Sequence, residues 1–175
     1  MIRTHLITLM TSICVVLSGC AAHTLFPSQV MEKVAPTFQF EAWRDAPPTN
    51  PAGKSDSGLK VELGGRIIQT FRNGKGIVIV AEQLPIVKHP QYGPAEEIKR
   101  TGDYEFAFLY PGALEPQALT KGNRFIIVGT TTSRRPVMVN GVSKTEPFLV
   151  ADCIHVWERG RVEIVDTETT YCVAK

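Results

Sequence analysis

The chain carries almost no net charge: 19 Lys and Arg stand against 17 Asp and Glu, a formal +2 over 175 residues. That balance gives no electrostatic footprint for nucleic acid and no basic tail for an anionic membrane surface. Long apolar runs are lacking too. Leu6–Leu17 is mostly apolar, but it falls short of the ~20 residues a spanning helix needs. Cysteines are few and form no CxxC pair, so the pattern makes a poor zinc site. There is no G-x-S-x-G elbow, and Ser18 lies in the leader. Gly74-Lys75-Gly76 lacks the eight-residue pattern and following helix of a phosphate-binding loop, and a hairpin explains it better. No cofactor is implied.

What the chain does have begins at its amino end. Arg3 and His5 give a short basic start, and the apolar run fits the ~7–15 residues of an export signal. Leu17, Ser18, Gly19 and Cys20 follow at once and read as a lipobox. Cleavage before Cys20 leaves a thiol that takes the diacylglycerol. The alternative is an ordinary secretory leader cut elsewhere, with Cys20 incidental. Each buried methylene contributes ~0.8 kcal/mol and one acyl chain binds only marginally, so a triacylated cysteine is an effectively permanent anchor. Ala21, where an Asp would retain the protein, favours outer-membrane lipid as the partner in a Gram-negative host.

The segments read as signal peptide 1–19, lipidated cysteine and tether 20–58, β-barrel domain 59–160 and C-terminal tail 161–175. The tether holds Pro27, Pro36, Pro47, Pro48 and Pro51, which favour extended backbone. One helical turn fits Ser28–Val34, with Ser28 as cap and Met31 and Val34 packing. Phe38, Phe40 and Trp43 form an apolar spot that either contacts a partner or folds back onto the domain.

From Leu59 the period is two. Val61, Leu63, Gly65 and Ile67 alternate with Lys60, Glu62, Gly64 and Arg66, and Gly64-Gly65 suggests a bulge or bend. Asn73-Gly74 signals a hairpin into Ile77–Leu84. Lys88–Arg100 is a polar excursion in which Pro94–Ile98 can start a helix. The third strand is Asp103–Tyr110. A short helical connection around Leu114–Leu119 leads to the fourth, Arg124–Thr132, apolar on both faces and therefore central. A loop or partial hairpin with Asn140-Gly141 precedes the fifth, Phe148–Trp157. Val162, Ile164 and Val165 alternate in the tail as an added edge strand. The fold class is all-β: a small five-stranded antiparallel OB-like barrel with one short helical connection. A β-sandwich is the competing architecture.

In order along the chain, the lipobox, Leu63-Gly64-Gly65-Arg66-Ile67, Leu84-Pro85, Gly102, Leu114-Glu115-Pro116, Phe125-Ile126-Ile127-Val128-Gly129 and Ile154-His155-Val156-Trp157 resemble the starvation-inducible outer-membrane lipoproteins, the Slp family. The likeness covers the leader and Leu59–Trp157. Ile86, Thr132 and a charged tail depart from the family pattern. The resemblance implies a non-enzymatic envelope role linked to starvation or stationary phase, and it brings no catalytic residues.

The residues themselves leave few candidates for chemistry. Cys14 leaves with the leader. Cys153 and Cys172 remain for a disulfide closing a loop of roughly 20 residues, worth about 3 kcal/mol. The alternative is two unrelated thiols. His23, His89 and His155 would have to converge to act, and Glu96-Glu97 are neighbours that do not face each other on a helix. Tyr104, Phe106, Phe108 and Tyr110 share one strand face. They form either a stacking platform for a glycan or envelope protein partner, or one side of the core. Their solvent exposure decides between the two.

Overall fold

The computed structural model describes residues 24–46, 58–95, 101–158 and 167–173. The lipobox Leu17–Cys20, His23, Glu96-Glu97 and the Val162, Ile164, Val165 alternation lie outside them.

Apolar and polar side chains alternate along β1 (Lys60–Asn73). Val61, Leu63 and Ile67 are buried, while Lys60, Glu62 and Arg66 are half-buried. β2 (Gly76–Gln83) returns antiparallel across Gly74-Lys75, where Asn73 Oδ1 accepts from the Lys75 amide at 2.9 Å. The irregularity in this pairing falls between Ile67 and Gln69, not at Gly64-Gly65. The two glycines serve close approach instead. A Cβ on Gly64 would come 2.6 Å from the Leu84 carbonyl oxygen, and one on Gly65 2.6 Å from Phe125 Cζ.

β3 (Glu105–Tyr110) pairs antiparallel with β2. β4 (Arg124–Val139) pairs antiparallel with β1, and β5 (Val142–Glu158) antiparallel with β4. A further pairing sets Ala107, Phe108 and Leu109 beside Phe148, Leu149 and Val150, and it is parallel. The strands β1, β2, β3, β5 and β4 thereby close into a ring. The all-β expectation holds, with one difference from a wholly antiparallel unit. Five strands cannot alternate direction all the way round a closed circuit, so one neighbouring pair must run parallel. That pair is β3 and β5, whose connection is long enough because it contains β4.

β4 and β5 also run further than the sequence suggested. Residues 133–147, expected as a loop or partial hairpin, form a full hairpin that continues both strands to a two-residue turn at Asn140-Gly141. Their φ values of 50° and 81° are those of a primed hairpin turn, which suits the twist of the flanking strands. The local signal was Val137-Met138-Val139, where the outer two are buried and Met138 is exposed. The link between β3 and β4 is a pair of turns, not a helix. Leu119 and Thr120 donate to the carbonyls three residues back, and Leu114 and Ala118 plug the core beneath them. The short 3-10 turn of the described residues, Pro90–Tyr92, follows β2 instead.

The main core fills the ring with Leu63, Ile67, Ile79, Phe106, Phe108, Phe125, Ile127, Leu149 and Ile154 among others. Two more apolar clusters cover parts of the outer wall. Val137, Val139 and Phe148 pack on Val78, Val80 and Ala107, outside β2 and β3. Outside β4 and β5, Phe26 packs on Ile126, Val128, Cys153 and Trp157, with Leu25, Val30, Met31, Val34 and Ile86 around it. This double covering is why β4 is apolar on both faces.

Residues 24–46, assigned from sequence to the tether, therefore lie against the ring. α1 (Ser28–Met31) starts after Pro27 with no side-chain cap, and the Ala35 amide donates to the Lys60 carbonyl at 2.8 Å. α2 (Phe40–Asp45) inserts Phe40 and Trp43 into the main core. Proline spacing made this stretch look extended. Burial of Phe26, Phe40 and Trp43, each worth about 1.5–3 kcal/mol or more, outweighs the entropy of leaving it free. Beyond the ring, β6 (Thr167–Cys172) pairs antiparallel with the outer edge of β5.

Candidate functional site

A cleft of about 540 Å³ opens where α2, the approach to β3 and the β4–β5 hairpin meet. Arg44, Asp45, Asp103, Glu105, Arg134 and Glu146 line it. α2 supplies the first pair on its last turn. Arg44 Nε donates to Asp45 Oδ1 at 2.8 Å, Nη1 donates to the Asp103 carbonyl at 2.8 Å, and the guanidinium stands 5.2 Å from the Tyr104 ring centre. The hydrogen bond to Asp45 raises the Arg44 pKa further and holds the Asp45 carboxyl below its ordinary value. Arg134 on β4 donates to the Arg44 carbonyl and, at 2.7 Å, to the Thr145 carbonyl, so the hairpin latches onto α2.

The acidic side of the cleft comes from β3 and β5. Lys144 Nζ donates to Glu105 Oε2 at 2.5 Å, which raises the Lys144 pKa. Glu146 is only 4% exposed, and its carboxylate and those of Asp103 and Glu105 lie within 4.8 Å of one another. Burial pushes the Glu146 pKa up first and the two neighbouring carboxylates push it further, while Lys144 and Arg134 oppose them. Three oxygen donors would suit a hard divalent cation. Here, however, Lys144 already neutralises Glu105, and Arg44 and Arg134 face the same space. The result is a polar cleft of mixed charge able to hydrogen-bond a polar ligand carrying both donors and acceptors. A second, smaller groove of about 340 Å³ lies between α2 and β1, lined by Phe38, Phe40, Glu62, Gln83, Pro85 and Ile86. Burial raises the Glu62 pKa there.

The aromatic row resolves into core. Phe106 and Phe108 are fully buried and Tyr110 nearly so, with the Phe108 ring tilted against Phe125 at 5.2 Å between ring centres. Tyr104 alone is half-buried, beside Phe40 and under Arg44. Three of the four rings are thus closed to any stacking ligand.

Cys153 and Cys172 stand opposite each other on β5 and β6 and are bridged, with S–S 2.02 Å. His155 faces away from the ring interior, as its position between Ile154 and Val156 requires, but the outer wall there is covered. Its Nδ1 lies 2.6 Å from Thr170 Oγ1, its Nε2 lies 3.5 Å from Glu168 and its ring meets Trp157 edge-on at 4.3 Å. His89 accepts from the Gln91 amide at the 3-10 turn. The described histidines do not converge: His89 sits on the loop after β2 and His155 under β6. Sequence reasoning passed over the charged cleft, because its residues come from three segments with no spacing in common. The nearest signal was the pair Arg134-Arg135, within the stretch expected as a loop or partial hairpin.

A scan against protein families matches residues 17–173 to one described as the outer membrane lipoprotein Slp family. Searches of the curated proteins and of the solved structures find no match. The family match begins at Leu17, where the lipobox reading starts, and runs through β6 to the residue after Cys172. With the match spanning nearly all of the sequence, the chain belongs to the outer membrane lipoprotein Slp family and is lipid-anchored in the cell's outer membrane.

Proposed function

We propose that this chain is a non-enzymatic envelope module, held to the outer membrane by acyl chains on Cys20 and serving the starved or stationary-phase cell. The observation that carries the reading is the filled ring. Phe106, Phe108, Phe125 and Ile127 leave its interior without room for a substrate, and the outer walls are covered by the chain's own segments. The family resemblance supports the link to starvation. Cys20→Ala tests the anchor: the variant stays as a soluble or inner-membrane-retained precursor in fractionated cells. Acylated variant protein in the outer membrane would refute it, as would starved cells surviving equally well without the chain.

A second reading has one specific observation in its favour. The cleft of Arg44, Asp45, Asp103, Glu105, Arg134 and Glu146 suits a glycan or an envelope protein partner, since both offer mixed donors and acceptors. A photo-crosslinking residue at exposed Thr101, on the cleft rim, should capture one defined species in the native envelope. Arg134→Ala combined with Glu146→Gln should abolish that capture; an unchanged pattern would exclude the cleft.

A further inference from the structure

The amino-terminal segment does not hang free, and this fixes how far the domain can stand from the bilayer. Phe26 is buried against Ile126, Val128, Cys153 and Trp157, and the Leu25 carbonyl accepts from Thr170 Oγ1 at 3.3 Å. The length of chain between the anchor and the packed residues is therefore Cys20 to Leu25. Five residues reach at most ~18 Å even when fully extended. A tether running to residue 58 would have allowed well over ~100 Å. A domain of this chain length has a radius of gyration of about 15 Å, so the tether is shorter than the domain is wide. The ring cannot turn its far wall to the membrane.

The wall on the tethered side has the surface a bilayer would accept. Ile86 packs into the Phe26 and Trp157 cluster, and Gly93 lies flat over the Trp157 ring, where a Cβ would be 3.3 Å from Cε2. The loop between them consequently sits beside the amino-terminal segment. It carries Val87 at 66% exposure and Tyr92 at 63%, the two most exposed large hydrophobics among the described residues, with exposed Lys88 between them. An apolar residue, a cation and a tyrosine are the side chains that settle at a lipid headgroup layer, with the lysine head extending to the phosphates. The wall outside β2 and β3 is covered instead by the β4–β5 hairpin, which exposes Met138 and Val142 beside its turn.

We propose that the domain lies against the bilayer surface through the loop bearing Val87, Lys88 and Tyr92, which enters the headgroup layer, while the β4–β5 hairpin tip faces the aqueous side. This rests on acylation of Cys20, and the test separates the two. The full-length lipoprotein, purified after cellular processing, is reconstituted into vesicles of phosphatidylethanolamine and phosphatidylglycerol, carrying a nitroxide at Tyr92→Cys or at Val142→Cys. Co-flotation with the vesicles reports the anchor, and spin-label accessibility to a water-soluble paramagnetic relaxer reports depth. The label at 92 should be protected several-fold relative to its value in the unlipidated Cys20→Ala protein, and the label at 142 should not change. A protein that floats with equal accessibility at 92 and 142 would overturn the docking while leaving the anchor intact. A protein that fails to float overturns both. Val87→Asp combined with Tyr92→Asp, both at exposed positions that leave the fold alone, should restore accessibility of a label at position 88 without releasing the protein from the vesicles.

Discussion

Phe40→Ala tests the packing of residues 24–46 onto the ring, which decides between the two sequence readings of Phe38, Phe40 and Trp43. Phe40 is 4% exposed and meets Trp43 edge-on at 5.8 Å, Phe106 edge-on at 5.9 Å and Tyr104 in a stack at 6.1 Å between ring centres. Truncating a buried phenylalanine costs about 3–5 kcal/mol when the cavity cannot collapse. Collapse is hindered here because Phe106 lies on β3 and is held by the pairing with β2, while α2 is latched by Arg134. Whole domains of this size are stable by only about 5–15 kcal/mol, so the loss is a large fraction of the total. Equilibrium urea unfolding of the chain without its leader, followed by circular dichroism, should show a much lower midpoint at an unchanged slope. Val142→Ala, at a 60% exposed site, should stay within ~0.5 kcal/mol and serves as the control. A cost for Phe40→Ala below ~1 kcal/mol would refute the packing, because an aromatic on a free tether loses almost nothing on truncation.

Three further outcomes follow from particular contacts. Gly65→Ala forces a Cβ to within 2.6 Å of the Phe125 ring and 2.9 Å of the Glu82 carbonyl, so thermal unfolding should report a loss of about 1–3 kcal/mol. An equally stable variant would mean that Phe125 can move aside. Cys172→Ser removes the bridge across 19 residues and should cost about 3 kcal/mol, with fast amide exchange confined to β6. Exchange spreading through β4 would show that β6 is part of the ring's cooperative unit. Glu146→Gln should stabilise the protein in a pH-dependent way. Below the ordinary carboxyl value of 4.5, both native and unfolded Glu146 are protonated and variant and parent match. As pH rises past it the unfolded chain ionises first and the native state is penalised, so the variant's advantage opens, then levels off once native Glu146 ionises. Each unit of upward shift corresponds to about 1.36 kcal/mol, and a constant difference down to pH 3 would contradict the cause assigned.

Much of this protein was legible as text, and where it was not the reason is physical. Strand alternation in Val61–Ile67, the Asn140-Gly141 turn and the apolar run Phe125–Val128 act over a few residues, so their sequence alone determines the local backbone. The lipobox is likewise read by a peptidase as an extended peptide, which needs no fold. The two cysteines were visible as candidates, but only the register that sets residue 153 opposite 172 brings them together. The aromatic row on β3 could face either way until ring closure put Phe106 and Phe108 inside. Phe38, Phe40 and Trp43 could be read as a partner contact or as folding back onto the domain, and only the tertiary structure decided for the second, because a segment's own preferences say nothing about a partner wall far along the chain. The charged cleft is the extreme case, since Arg44, Glu105 and Lys144 share no local pattern: Glu105 and Lys144 meet through the parallel pairing of β3 with β5 that an odd-numbered ring requires, and Arg44 joins them only where Arg134 latches α2.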